Sequence, residues 1–319
     1  MAKEQVQVIV PATTANLGPG FDCIGAALDL YNHFQFREIP SGLNIHYRGS
    51  DHVSQSKDNL VYRAFSRAFE LLSKPVPGVE IEITLNVPLS RGLGSSATAI
   101  VGGLLGANAI GGLNLAPETL LQLAIALEGH PDNVVPALQG SCQLCVQGQQ
   151  GQWVFCPLEW HESIGIVAVV PNFKLSTQAA REILPKSVSL ADAVFSSSHL
   201  GLLIRSLQLG RVDWLKVALQ DRLHQPARLE LITGFKTVQA AAQAAGAYGV
   251  VISGAGPTLL ALCAPDDRER VGSAMVNAWR QLDIESEAKL LNLDRQGGRV
   301  LQGAASEDPN LPPQKTKEI

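Results

Sequence analysis

The segment Pro88-Leu89-Ser90-Arg91-Gly92-Leu93-Gly94-Ser95-Ser96-Ala97-Thr98 lies between two patterns of different period. Before it, residues 79–87 alternate without a break, with Val, Ile or Leu at odd positions and Glu, Thr or Asn at even ones. That is the period of a half-buried strand. After it, residues 99–108 are apolar nearly all round, which predicts a buried helix. The order is therefore strand, glycine- and serine-rich turn, helix N-terminus. The first turn of a helix leaves backbone N–H groups unpaired and carries partial positive charge. Gly92 and Gly94 allow a bend and a close approach of ligand to backbone. Ser95 and Ser96 can cap the helix or offer hydroxyls to phosphate or a metal ion. A triphosphate suits such a site, although a Ser-capped helix after a plain loop reads the same way from the glycines alone.

A Walker A loop is excluded, because its second glycine is followed directly by Lys-Ser or Lys-Thr, and Gly94 is followed by Ser95-Ser96. Arg91 is the only nearby cation. The segment closely resembles the ATP loop of the GHMP kinases, Pro-x-x-x-Gly-Leu-Gly-Ser-Ser-Ala, at every specified position. The resemblance implies that Pro88, Arg91, Gly92, Leu93, Gly94, Ser95, Ser96, Ala97 and Thr98 surround the nucleotide.

Length and composition bound the alternatives. A chain of 319 residues, 46% apolar and 17% charged, has material for two domains with sizeable cores. Its 25 Lys and Arg against 29 Asp and Glu give a net charge of −4, with no basic cluster. That argues against nucleic acid or an anionic membrane as partner. No apolar run approaches the roughly 20 residues needed to span a bilayer. The N-terminus lacks the apolar core of a signal peptide, so a cytoplasmic location is expected. Five scattered cysteines fit reduced thiols. Cys142 and Cys145 have the spacing of a metal or redox pair, but they fall in a strand-like run over 141–147. Alternation there sends the two sulfurs to opposite faces, so a structural role is expected for both.

Residues 6–11 and 24–36 read as two strands. Between them, Pro11-Ala12-Thr13-Thr14-Ala15-Asn16-Leu17-Gly18-Pro19-Gly20-Phe21-Asp22 holds only Asn16 and Asp22 as strong polar groups. Either they satisfy the loop's own backbone or they meet a small polar ligand. The loop resembles the first GHMP motif in its homoserine-kinase form, which implies that Asn16 and Asp22 contact an amino-acid substrate, Asp22 through its ammonium. Residues 58–72 read as a core helix; in the family this segment lies beside the adenine, which makes Asn59 a candidate nucleotide contact.

Residues 117–127 are helical and run into Glu128-Gly129-His130-Pro131-Asp132-Asn133-Val134, where Glu128, His130, Asp132 and Asn133 crowd between apolar stretches. Such a cluster favours a site over a solvated helix end. It resembles the Glu-Gly-His-Pro-Asp-Asn-Val form of homoserine kinases. The resemblance implies that His130 and Asp132 meet the substrate and that Glu128 and Ser96 hold a magnesium ion, a hard cation that takes oxygen donors and phosphate. Mevalonate kinases and galactokinases place an Asp as catalytic base in the region of Asn133. An amide cannot take a proton, so catalysis is expected to rest on positioning and charge stabilisation. Asp132 is the nearest candidate base but is not preferred, and the hydroxyl proton could instead pass to a phosphate oxygen; the sequence leaves the acceptor open.

Further strands are expected at 142–146, 153–155 and 164–170, the last opening a second domain. Thr177 and Arg181 lie four apart at the start of a helix. They match the Thr and Arg that in the family serve the active site and the substrate carboxylate. Gln225-Pro226-Ala227-Arg228 resembles the segment carrying a second substrate arginine, although Arg222 is close by. Two guanidiniums suit a carboxylate better than lysines would. Helices are expected at 190–209, 212–219 and 266–282, with a last strand over 285–293. Residues 249–262 read strand, glycine turn, strand. Their Ser253-Gly254-Ala255-Gly256-Pro257-Thr258 resembles the third GHMP motif, which brings Gly254 and Gly256 against the phosphate loop.

Together these resemblances imply an α+β, two-domain fold: residues 1–160 as an N-terminal ATP-binding domain of ribosomal type, 161–303 as a C-terminal ferredoxin-like α/β sandwich, and 304–319 as a disordered tail. They imply an enzyme that uses ATP and magnesium to phosphorylate the hydroxyl of L-homoserine, on the way to threonine, in a family that often forms homodimers. Rival readings are a kinase for mevalonate or shikimate, a nucleotide-binding sensor without catalysis, and an RNA-binding protein. Mevalonate has no ammonium for Asp22, Ser96 and Glu128 are both retained, and no basic face is offered to RNA.

Overall fold

β1 (Gln5–Asn16) and β2 (Gly20–Ile39) form a long antiparallel hairpin that is the spine of the first sheet. The computed structural model describes residues 5–49 and 53–301, so the expected tail at 304–319 lies outside the described residues. The hairpin register slips between Pro11 and Ala12 and again between Ala15 and Asn16. Such irregularities re-aim side chains, and the second falls where Asn16, Leu17 and Asp22 all take positive φ.

β3 (Leu43–Arg48) extends the sheet beyond the strands expected from the sequence. α1 (Leu60–Leu71) leads into β4 (Gly78–Thr84), which lies antiparallel to β2 and parallel to β3. α2 (Ser95–Ile110), α3 (Pro117–Glu128) and α4 (Pro131–Gln139) follow. Val79, Ile81 and Ile83 of β4 face the core that all four helices share. α4 is an addition to the expected elements: Pro131 sits in its first turn, where the missing N–H costs nothing. β5 (Cys142–Gln147) joins β2, and β6 (Trp153–Leu158) joins β5. Cys142 enters the core between the sheets and Cys145 the core under the helices, on opposite sides of β5 as alternation requires.

The second half comprises β7 (Gly165–Pro171), α5 (Thr177–Glu182), α6 (Leu190–Leu209), α7 (Val212–Ala218), α8 (Gln225–Arg228), α9 (Phe235–Ala244), β8 (Gly249–Ile252), β9 (Leu259–Cys263), α10 (Arg268–Arg280) and β10 (Ser286–Leu291). The strands form an antiparallel sheet in the order β10-β7-β9-β8. Ile166, Ala168 and Val170 of β7 pack toward Ala12, Leu17 and Ile24 of the first hairpin. Val167 and Val169 pack on the other face against α9 and α10 around Trp279. With both faces covered, β7 has no polar side to alternate. The chain then returns: β11 (Arg299–Leu301) pairs with β1. The last described residues therefore complete the first sheet. Among the described residues no helix is long and apolar enough to cross a membrane.

α1 and α2 cross so closely that a Cβ at Gly103 would lie 2.2 Å from the Val61 carbonyl oxygen. Gly103→Ala should force the helices apart and cost about 1–3 kcal/mol, the range for an overpacked core. A lowered melting temperature checks this; an unchanged one would contradict the described contact.

Candidate active site

The phosphate loop reaches α2 through Gly94, which is the helix N-cap, has φ 66° and brings no side-chain acceptor to the first turn. Neither serine caps the helix as the sequence had allowed. The Ser96 hydroxyl instead donates to the Glu128 carboxylate. The first-turn N–H groups thus meet the cleft without a side-chain cap, the arrangement that binds anions. Leu93, Ala97 and Thr98 are buried in the fold. Thr98 donates to the Ser95 carbonyl at 2.8 Å and accepts from Asn32 at 2.8 Å. Their side chains are taken up inside the fold, where they hold the loop's shape.

Three expected nucleotide contacts point elsewhere. The Arg91 guanidinium donates to the carbonyls of Leu89, Pro171 and Asn172, each at 2.9 Å. It is a strut from the loop to the end of β7, since three fixed carbonyls satisfy it there. Pro88 lines a separate cleft beside that strut. Asn59 caps α1: its side chain accepts from Val61 N–H at 2.9 Å and donates to the Ser54 carbonyl at 2.6 Å, which uses both ends of the amide.

The β8–β9 turn closes on the loop from the second sheet. The Ser253 hydroxyl donates to the Gly92 carbonyl at 2.6 Å and lies 2.9 Å from the Thr14 hydroxyl. Thr258 N–H reaches the Arg91 carbonyl, and Gly254 N–H the Ala15 carbonyl. Gly92 has φ 78°, and a Cβ there would sit 2.2 Å from the Ser253 carbonyl oxygen, so only glycine fits. Asn16 is spent on the same seam. It donates to the Gly254 carbonyl at 2.8 Å and accepts from Asp22 N–H at 3.0 Å. It lines the cleft and holds Asp22 in place.

Glu128 ends α3, and His130, Asp132 and Asn133 start α4, whose Asn133 packs against Gly94: a Cβ there would stand 3.2 Å from Asn133 Oδ1. Burial raises the Glu128 pKa, against the opposing effects of the Ser96 bond and His130. His130 Nδ1 lies 2.5 Å from Asp132 Oδ1. Burial alone would lower the imidazole pKa, but the bond to Asp132 and the charges of Asp132 and Glu128 outweigh it and raise the pKa. Thr13, a residue without a sequence signal of its own, donates to Asn133 Oδ1 at 2.8 Å. That leaves the Asn133 Nδ2 side facing Asp132 Oδ1 at 3.4 Å. Glu128 and Ser96 offer two hard oxygen donors in contact with each other, which fits a magnesium ion completed by phosphate and water.

The same cleft is lined by two arginines and a third carboxylate, Asp22. Arg181 and Asp22 form a bidentate pair at 2.9 and 3.0 Å. Thr177 opens the same helix and lines the cleft with them. Arg228 is only 2% exposed and donates to the Ala180 and Gly254 carbonyls at 3.1 and 3.0 Å. Arg222 is excluded from the site: it pairs with Asp192 at the surface and stacks over Phe195. His224 and Phe21, which the motifs did not single out, pack against Arg228. His224 stands four before Arg228, a spacing that puts the two on one helical face.

Family models for the GHMP kinases N terminal domain and the GHMP kinases C terminal match residues 59–141 and 203–281. A homoserine kinase of Synechococcus sp. is 53% identical over 301 residues, 93% of this chain and 98% of that protein. The chain belongs to the GHMP kinase family. A homoserine kinase of Crocosphaera subtropica is also 53% identical, over 92% of this chain and 97% of its own length. The crystal structure of homoserine kinase from Cytophaga hutchinsonii matches with a TM-score of 0.86 at 31% identity, over 94% of this chain and 98% of that one. As a GHMP kinase the chain is an ATP-dependent phosphotransferase with the family's two-domain α+β fold.

Because Glu128 has a raised pKa in the fold, the unfolded chain gives up this proton first as pH rises. Its contribution to stability is present at acid pH and is lost as pH climbs from 4.5 through the folded value. Glu128→Gln removes that loss. Without metal or nucleotide, the variant should melt at or above the parent temperature at pH 7 and lose the advantage below pH 4. A lower melting temperature at pH 7 would contradict the assignment.

Proposed function

We propose that this GHMP kinase transfers the γ-phosphoryl group of ATP to the hydroxyl of L-homoserine, giving O-phospho-L-homoserine for threonine synthesis in the cytoplasm. One observation carries the choice of substrate. Beside the phosphate-loop helix stand a carboxylate and a guanidinium already paired, Asp22 with Arg181, and a second guanidinium, Arg228, held by carbonyls. A free amino acid is the electrostatic complement of that set. Its ammonium takes Asp22 and its carboxylate takes Arg181 and Arg228, so charge-assisted bonds replace the pair that opens. Mevalonate offers a carboxylate but nothing cationic for Asp22.

The α2 first turn and the Gly254–Gly256 backbone receive the polyphosphate. Ser96 and Glu128 would hold magnesium, which supplies neutralising charge for the phosphate oxygens. Asn133, its Oδ1 taken by Thr13, offers Nδ2 to orient the substrate hydroxyl. Arg181 and Thr177 border the reacting end, where the arginine stabilises developing charge. Asp132 is a poor base because its Oδ1 is held by His130, whose raised pKa favours the imidazolium. The hydroxyl proton therefore passes to an oxygen of the transferring phosphoryl group, as a loose transition state allows.

ADP release measured with L-homoserine, mevalonate, shikimate and buffer alone tests the substrate. Turnover is expected with L-homoserine only; turnover with none of the alcohols would turn the reading to a nucleotide sensor. Asp132→Asn should lower kcat by no more than about tenfold, because a positioned general base typically contributes about 10²–10⁴. A collapse of kcat with both substrates still bound would make Asp132 the base.

A further inference from the structure

The first-motif loop and α8 meet at a buried imidazole that the reaction outlined above does not use. His224 is fully buried and stacked on Phe21, with ring centroids 5.0 Å apart. Its Nε2 lies 2.9 Å from the Gly18 carbonyl oxygen. A carbonyl only accepts, so Nε2 carries a proton. Its Nδ1 lies 3.2 Å from Arg228 Nη1. A guanidinium only donates, so Nδ1 presents a lone pair. Only the neutral imidazole protonated at Nε2 satisfies both contacts.

The surroundings favour that state. Burial lowers the His224 pKa, against the attraction of Asp221. Three charged groups face it: Asp221 from the segment before α8, Arg228 from α8 itself and Asp22 from the first-motif loop. The Asp221 carboxylate, 3.6 Å from Nε2, is already engaged by the N–H groups of Leu223, His224 and Gln225. Arg228 is therefore held by two carbonyls and one neutral imidazole. All three orient the guanidinium, and none neutralises it. A carboxylate at position 224 would quench its charge; an imidazolium would repel it.

We propose that His224 is a positioning residue for the substrate carboxylate. Neutral and doubly bonded, it fixes Arg228 and ties it to the Gly18 turn that leads into β2 just before Asp22, so the anchors for the two ends of an amino acid keep a set separation. The inference rests on Arg228 being a carboxylate anchor, as read above.

Three constants test it: KM for L-homoserine, KM for ATP, and the inhibition constant of 3-aminopropan-1-ol, which has the ammonium and hydroxyl of the substrate but no carboxylate. His224→Phe keeps the aromatic packing and removes both bonds. It should raise the homoserine KM about tenfold while the other two constants stay within about twofold, given the strength of a hydrogen bond to a charged group. His224→Asn, whose amide oxygen can stand near the Nδ1 position, should restore most of the loss. All three constants rising together, or none rising, overturns the proposal. If His224→Phe does not fold, the comparison moves to His224→Asn against His224→Gln, which reaches only the Gly18 side. The homoserine-specific rise should then appear in His224→Gln alone, and equal or reversed effects overturn the proposal. Arg228→Gln, run in parallel, isolates the underlying reading. A homoserine-specific rise there supports the carboxylate anchor whatever His224 does, and its absence removes the anchor itself.

Discussion

The hydrogen bond from the Ser253 hydroxyl to the Gly92 carbonyl, 2.6 Å long, is the contact on which the cleft depends. It joins the turn between β8 and β9 to the loop that feeds α2, and the Thr14 hydroxyl beside it brings in the first hairpin. Three segments far apart in sequence converge there through backbone groups and short polar side chains. Nothing larger would fit, since a Cβ on Gly92 collides with the Ser253 carbonyl. Backbone contacts of this kind fix position closely, because they carry no long side chain whose rotamers could relax. The helix N-terminus is thereby aimed into a cleft whose other walls come from the second sheet.

That geometry gathers charges of both signs. The cleft lining brings Glu128, the His130–Asp132 pair and Asn133 together with Arg181, Asp22 and Arg228. The helix N-terminus lines the same cleft, with its first-turn dipoles as a fixed source of positive potential. A triphosphate with its metal and an amino acid can each meet opposite charge when two contacts open, the Ser96–Glu128 hydrogen bond and the Asp22–Arg181 pair. Partial exposure of that pair, 35% and 38% for the two side chains, keeps the cost of opening it small. Arg228, by contrast, is buried; its direct hydrogen-bond acceptors are neutral, and the Asp22, Asp132 and Asp221 carboxylates act on it from further off.

Much of this was legible in the sequence because it is written in local patterns. The alternation over 79–87, the apolar run of α2 and the three glycine-bearing segments each have a period or a spacing that survives without tertiary context. Directions of side chains do not. Arg91 looks like a phosphate ligand until the carbonyls of Pro171 and Asn172 arrive from another sheet to claim it. Asn59 looks available until its amide closes the end of α1. Thr13 and His224 are single polar residues in unremarkable surroundings, and only their long-range partners, Asn133 and Arg228 with Gly18, give them a role. β11 is three residues long, too short to carry a period, so the return of the chain to the first sheet could be seen only in the pairing with β1.

The most direct measurement is a crystal structure with a non-hydrolysable ATP analogue, magnesium and L-homoserine bound together. Phosphate oxygens are expected on the N–H groups at the start of α2, with the metal between Ser96 and Glu128 and the amino acid's two charged ends on Asp22 and on Arg181 with Arg228. Phosphates bound away from that helix, with the Ser96–Glu128 and Asp22–Arg181 contacts both intact, would contradict a cleft organised around the α2 N-terminus.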